Sequence, residues 1–432
     1  MFFSERDRRG RVDLEAVEMA LRSALHQAGA AALTQLLEYP APEAGQRRLP
    51  CRCGQAAVYR GLRSKPILTA VGQVQLQRPY YLCPACHQGQ CPVDRELDVD
   101  NTALSPGVRR MLAAVGSEAA FDHGREQMKL LAALEVTTKA VERTAEAIGQ
   151  DIAAREQEQI RQAIQWELPV AVGGSIPILY VQMDATGVPV VPKETIGRVG
   201  KSEGQQARTR EVKLGCVFWQ STRDEQGRPV RDPDSTTYTG AIETAEQFGR
   251  RLYTEACQRG WQQAHQKVLM GDGAEWIWNL GEVYFPGSIQ IVDLYHARQH
   301  LWELAHKLYP TDEPRQHRWV MVQQDKLDDG RIESLVASLR RLRVQDSQLA
   351  AKIRTDADYF ENNAHRMRYP EFRRQGLFVG SGVIEAGCKT VIGSRLKQSG
   401  MFWTVRGANA VIALRCCRLS GRFEDYWEAR SA

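Results

Sequence analysis

Residues 176–184 read IPILYVQMD. A short apolar run of this kind, following a Gly-rich turn signal, predicts a buried strand that delivers Asp184 at its tip. KVLMGD (267–272) repeats the pattern and ends on Asp272, and SIQIVD (288–293) repeats it again and ends on Asp293. EVKLGCVFWQ (211–220) is strand-like, and residues 193–210 before it, rich in Gly, Lys and Arg, read as a loop. Residues 241–260 carry helical spacing, and AEWIWNLGEVYF separates the last two apolar runs. Strands alternating with helices predict an α/β core. From 294 to about 375 no strand pattern occurs, which predicts a helical insertion, and 382–419 reads as further helix.

Asp184 and Asp272, at the tips of two strands, would converge on one point. Glu385, in GSGVIEAGCK (380–389), opens a predicted helix able to bring a third carboxylate. Such a trio suits phosphoryl transfer, in which two ions about 4 Å apart activate the attacking oxygen and stabilise the leaving one. Hard oxygen ligands favour Mg2+ or Mn2+. Spacing alone leaves another reading open, since a strand-end aspartate also caps a following helix.

The ten cysteines cluster toward the N-terminus: Cys51-x-Cys53-Gly54, the strand-like stretch TAVGQVQLQRPYYL (69–82), then Cys83-Pro84-Ala85-Cys86-His87. Two pairs of closely spaced thiolates can complete one tetrahedral site, and a strand-like gap suits a zinc ribbon with its knuckles facing across a hairpin. Cys51, Cys53, Cys83 and Cys86 are the expected ligands of one structural Zn2+, with His87 and Cys91 as substitutes. Ahead of them DLEAVEMALRSALHQAGAAALTQLLE (13–38) has helical spacing. After them, FDHGREQMKLLAALEVTTKAVERTAEAIG (121–149) resembles a helix, a turn and a second helix. That pattern fits a DNA-reading helix-turn-helix, with Lys139 and Arg143 near the start of the recognition helix, and fits an ordinary helical hairpin equally well.

With 432 residues the chain is expected to form two or three domains. No apolar run approaches the ~20 residues of a membrane helix, and the charged start MFFSERDRRGRVD lacks the apolar segment of a signal peptide. A cytosolic protein with reduced thiols or metal-bound cysteines is expected. The net charge of +5 is mild, but arginine and lysine concentrate at 340–374 and 389–418. There they could neutralise phosphates or lie on solvated helix faces.

Five strings carry a resemblance: MDATGVPV (183–190), GDGAEWIWNL (271–280), IVDLYHARQHLWELAHKLYP (291–310), YFENNAHRMRYPEFRRQGL (359–377) and GSGVIEAGCKTVIGSRLKQSGMFWTVRGANAVIALR (380–415). Together they resemble bacterial insertion-sequence transposases of the ISKra group, in the DDE superfamily and distantly similar to Mutator-like enzymes. The resemblance implies an RNase H-like core with a helical insertion at about 294–378, within a catalytic domain at 171–432. A helical region at 101–170 and a helical, zinc-ribbon region at 1–100 would precede it. It implies the triad Asp184, Asp272 and Glu385 holding two Mg2+ or Mn2+ ions, with Asp293 and His296 auxiliary. Cleavage at transposon ends and strand transfer into target DNA would follow, performed on double-stranded DNA by a homodimer or larger synaptic assembly at the bacterial nucleoid. Lys389, Arg395, Lys397 and Trp403 would join Lys139 and Arg143 in DNA contact, and Trp302 and Trp403 could stack on displaced bases. A non-cutting DNA-binding descendant and a purely hydrolytic RNase H-like nuclease are the alternatives.

Overall fold

The structure, a computed structural model, describes residues 13–165, 176–200 and 205–431. The charged start at 1–12, the break at Pro169 and positions 201–204 of the 193–210 loop lie outside the described residues. Contacts divide the chain into two units, Met1–Glu146 and Ala147–Ala432.

The first unit opens with α1 (Leu14–Leu36), capped by Asp13. A four-stranded antiparallel sheet follows, in the order β1 (Arg48–Pro50), β2 (Ala56–Thr69), β3 (Gly72–Leu82), β4 (Gly89–Gln90). The β2–β3 hairpin turns at Gly72, whose φ of +109° is costly for any residue with a Cβ. Its outer half packs Ile67, Val74 and Leu76 with Val93 and Val99, covered by Ala30 and Leu33 of α1 and by Leu37 just beyond it. α2 (Pro92–Glu96) is held to the hairpin through Asp94, which pairs with Lys65 at 3.1 Å and Arg78 at 2.5 Å. Then come α3 (Pro106–Glu118), α4 (Phe121–Ala132) and α5 (Thr138–Ile164). Val108, Leu112, Met128, Leu134 and Val141 form one core among α3, α4 and the start of α5. Ala133, with φ at +52°, ends α4, so the helix, turn and helix expected at 121–149 are present. The unit division falls within α5.

The second unit is a mixed α/β fold with a five-stranded sheet. β5 (Ile176–Pro189), β6 (Thr209–Gln220), a small hairpin of β7 (Thr222–Arg223) and β8 (Pro229–Val230), and β9 (Thr237–Ala241) come first. α6 (Ala245–Gln258), β10 (Ala264–Gly271), α7 (Glu275–Tyr284) and β11 (Ile289–Val292) follow. The order across the sheet is β11-β10-β5-β6-β9, with β5, β6 and β9 antiparallel and β10 and β11 parallel to β5. Helices then run on: α8 (Leu294–Leu308), α9 (Glu313–Asp328), α10 (Ile332–Arg341), α11 (Ser347–Asn362) and α12 (Tyr369–Arg374). This is the helical stretch expected after 294. α13 (Gly382–Gly387), a π-helix (Cys388–Gly393), α14 (Ser394–Leu396), α15 (Val405–Leu419) and α16 (Phe423–Ser431) close the chain.

One expectation needs correction. Asp184 is not at a strand tip, because β5 continues through Pro189, paired with β6 as far as Thr209. What ends near Asp184 is pairing with β10, whose last partner on β5 is Gln182.

Side chains alternate across a strand, so register assigns each residue a face. A Cβ on Gly215 would meet Leu252 of α6, whereas one on Gly387 of α13 would meet Tyr238 and Leu214. α6 and α13 therefore cover opposite faces. Asp184 pairs with Leu214, and Gln182 with both Cys216 and Met270, which puts Asp184 and Gln182 on the α13 face. Tyr180 and Phe218, on that same face, stack at 4.8 Å, with Phe378 edge-on to both.

An ion network centred on one buried arginine, with half-buried carboxylate partners, joins α5 to α6. Arg251, 6% exposed, binds Glu243 at 2.7 Å and Glu156 at 2.6 Å. Burial pushes the Glu156 carboxyl up, with Arg251 opposing. Removing one member of a buried pair strands the other's charge, at a cost of about 3–5 kcal/mol. Arg251→Met is expected to lower stability by that amount in urea unfolding near neutral pH. The deficit should shrink as pH falls and the stranded carboxylates take up protons. An unchanged urea midpoint would count against the network.

Candidate functional site

Asp184, Asp272 and Glu385 lie near one another, beside the point where pairing between β5 and β10 ends. Asp184 is half-buried on β5; its Oδ1 accepts the Ala185 N–H at 2.6 Å and its Oδ2 faces the Cys388 thiol at 3.4 Å. Asp272 directly follows β10, and its Oδ1 accepts the Ala274 N–H at 2.9 Å, turning the chain into α7. Glu385 stands exposed in the first turn of α13, with Ser381 Oγ donating to it at 3.2 Å.

Asp184 feels the charges of the other two. Burial raises the Asp184 pKa, the Ala185 N–H and Cys388 thiol pull it down, and the negative charges of Asp272 and Glu385 push it up again. Among the described residues the three carboxylates do not gather ligand oxygens within 4.8 Å of one another.

Several residues besides the three carboxylates surround this arrangement, Asp293 and His296 of the expected set among them. The backbone N–H of Asp293 donates to the Gly271 carbonyl at 2.8 Å, and that of Leu294 to the Val379 carbonyl at 2.9 Å. Asp293 itself is fully buried, caps α8 by accepting the His296 N–H at 2.5 Å, and also accepts the Ser381 N–H. It ties the end of β11 to the segment leading into α13. Tyr359 of α11 donates its hydroxyl to the Asp272 carbonyl at 3.0 Å and fills the space beside Gly273, whose φ is +98°. His296 lies half-buried with its ring 5.1 Å from His300, which stacks on Tyr359 at 4.2 Å. Cys388, three residues after Glu385, shares its helix face. That spacing was the available signal for it. Tyr359 gave none, whereas Asp293 was signalled by the apolar run that it ends.

The expected DNA contacts divide. Lys139, Arg143, Lys389 and Lys397 are exposed. Lys139 pairs with Glu142 at 2.8 Å, and Lys397 donates to Thr186 beside Asp184. Arg395 and Trp403 are not on the surface. Arg395 is fully buried with its guanidinium 5.1 Å over the Trp403 ring, and Trp403 donates its indole N–H to the Leu396 carbonyl at 3.1 Å. A planar cation stacks on an indole more favourably when both are desolvated, and this pair fastens the loop ahead of α15. Arg415, also buried, donates to the Val391 carbonyl at 2.7 Å in the π-helix. Arg340 and Arg368 are engaged by Asp358 and Glu333. Trp302 is half-buried against His317.

In the first unit the four cysteines meet. Cys51 and Cys53 sit between β1 and β2, and Cys83 and Cys86 between β3 and β4. All four sulfurs lie within 4.8 Å of one another, with Cys51–Cys86 at 3.5 Å and Cys53–Cys83 at 3.6 Å. A tetrahedral ion with metal–sulfur bonds of about 2.3 Å needs sulfurs about 3.8 Å apart. The cluster can therefore coordinate one metal ion with small adjustment. Gly54, at φ +84°, lets the first knuckle turn. The Cys86 N–H stabilises the Cys83 thiolate against the opposing effect of burial, with help from the Ala85 N–H, and holds its pKa at about 6. His87 and Cys91 are outside the cluster.

No protein family and no curated protein sequence matches this chain. Among solved structures, the Drosophila P element transposase strand transfer complex is a weak, partial match, with a TM-score of 0.26 at 9% identity, covering 79% of this chain and 84% of that one.

Proposed function

We propose that the chain is a DDE-type DNA transposase, cutting phosphodiesters at transposon ends and joining the freed 3′-hydroxyl to target DNA. The observation that supports this reading is that the negative charges of Asp272 and Glu385 act on Asp184, close to where pairing between β5 and β10 ends. The sheet supports an RNase H-like core: three antiparallel strands, then two parallel strands added on the other side of the first. Mg2+ or Mn2+ bound by these carboxylates would supply Lewis-acid stabilisation of the attacking and leaving oxygens. The chain's own part is to hold three carboxylates on rigid elements and to present Lys389 and Lys397 beside them for phosphate contact. No covalent enzyme–DNA bond is required, because each new phosphodiester replaces one of similar energy. Two ends must meet, so the acting form is a homodimer or a larger assembly at the chromosome. The cysteine cluster is assigned one structural Zn2+. Among the described residues no helix is long and apolar enough to cross a membrane.

The test is incubation of the full chain with a duplex carrying the DNA that flanks its gene, a target plasmid and Mg2+ or Mn2+. Nicking at the end followed by joined product is expected. Hydrolysis without joining would indicate a nuclease, and binding without cutting a DNA-binding descendant.

Sequence choice needs contacts to base edges, and the exposed start of α5 is the segment offered for them. Lys139→Ala and Arg143→Ala are each expected to weaken binding to the cognate end by about 1–3 kcal/mol if a base contact is lost. Binding to random DNA should change far less. Equal losses on both DNAs would make these residues phosphate contacts instead.

A further inference from the structure

Gln182 is a fully buried amide in the middle of the sheet. An unpaired amide in such a place is costly, so its partners show what holds it there. Its Oε1 accepts the Ile384 N–H at 3.1 Å, an N–H shared with the Ser381 carbonyl at 3.0 Å. Its Nε2 lies 3.2 Å from Met270 Sδ, and the Cys216 thiol faces Oε1 at 3.9 Å. One side chain thus touches β10, β6 and α13.

The positions of these contacts follow a pattern. Gln182 precedes Asp184 by two residues on β5, so both point to the same face. Met270, its register partner, precedes Asp272 by two residues. Ile384 immediately precedes Glu385. Gln182 thus lies two residues from Asp184, and two of its three contacts, Met270 and Ile384, lie within two residues of Asp272 and of Glu385. The first N–H groups of a helix have no partner within it, and α13 is only six residues long. Gln182 anchors its start to the sheet beside the Ser381–Asp293 contact.

We propose that Gln182 is the positioning residue of the site, setting where α13 places Glu385 relative to Asp184 and Asp272. This rests on the transposase reading, in which the three carboxylates bind divalent ions together. Residues that orient metal ligands change metal affinity or activity by roughly 10–100-fold when removed.

The experiment uses full-length Gln182→Leu, with Gln182→Met as a second variant whose unbranched side chain keeps the original length. Single-turnover cleavage of the end duplex is measured over a range of Mn2+ and Mg2+ concentrations, beside DNA affinity and thermal midpoint. Expected are unchanged DNA affinity, cleavage at saturating metal reduced roughly 10–100-fold, and a metal concentration for half-maximal rate raised by a similar factor. A purely structural role would lower the thermal midpoint and leave metal demand unchanged, and that result overturns the assignment. Wild-type metal dependence in either folded variant overturns it too. A wild-type chain with no metal-dependent cleavage overturns the transposase reading and this assignment with it.

Discussion

Asp184→Asn, Asp272→Asn and Glu385→Gln are each expected to reduce end cleavage by roughly 10^3-fold or more, equal to about 4 kcal/mol of transition-state stabilisation, and to leave DNA affinity near wild type. Each change removes a charge without altering shape, so binding through exposed lysines is not disturbed. A second readout does not need the reaction. Burial and the charges of Asp272 and Glu385 raise the Asp184 pKa. A carboxyl whose folded pKa lies above its unfolded value destabilises the fold once pH exceeds the unfolded value, about 4 for aspartate. The penalty is absent below that pH and complete above the raised folded pKa. Metal-free Asp184→Asn should therefore be more stable than wild type at neutral pH, with the gain vanishing in acid. Divalent ions should reverse the order, stabilising wild type by about 2.7 kcal/mol at a hundredfold excess over Kd and the variants much less. The assignment fails for any residue whose variant cleaves at the wild-type rate. A wild-type thermal midpoint indifferent to Mg2+ and Mn2+ would count against a metal site here.

The parts of this site that could be read in advance were those marked by a change of pattern. Apolar runs ending abruptly in Asp184 and Asp272 announced buried strands with carboxylates, because continuous apolar sequence is what a strand covered on both faces needs. The continuation of β5 through Thr186, Gly187 and Pro189 was not legible. Those residues favour turns, and only pairing with β6 keeps them extended. β9, TYTGA, is short and contains glycine, and it too takes its form from its neighbour. Asp293 presented the same signature as Asp272, a carboxylate ending an apolar run, yet it is buried as a helix cap. Strand-end acids serve both purposes, and the choice depends on what packs above them. Arg395 and Arg415 counted as positive charge in sequence but are consumed inside the fold by Trp403 and the π-helix carbonyls. The cysteine cluster was the opposite case. Ligand spacing is imposed by the coordination sphere itself, so it could be recognised without knowing the fold.

The same cluster sets the last expected result, removal of its metal. Full-length protein should carry about one zinc per chain at this site. Cys83→Ser combined with Cys86→Ser should abolish it, since site binding and local folding are coupled, with apparent binding free energies of about 10–16 kcal/mol in small zinc modules. The damage should be uneven. Near the knuckles the core is small, consisting of Ala57, Tyr81 and Cys83 with Leu49, Cys51, Tyr59 and Cys86 at its edge, and much of it is the ligands themselves. Farther out, Ile67, Val74 and Leu76 pack on α1 and α2, and Asp94 grips Lys65 and Arg78. Hydrogen exchange on zinc-free protein should show residues 48–59 and 81–90 losing protection while 64–76 keep most of theirs. Acid should have the same effect as the substitutions, because each thiolate must take a proton for the ion to leave. Fully reduced protein purified without chelator and found free of zinc would end the assignment. Uniform loss of protection from 48 to 90 would instead mean that the whole hairpin depends on the metal, and that its packing on α1 is not independently stable.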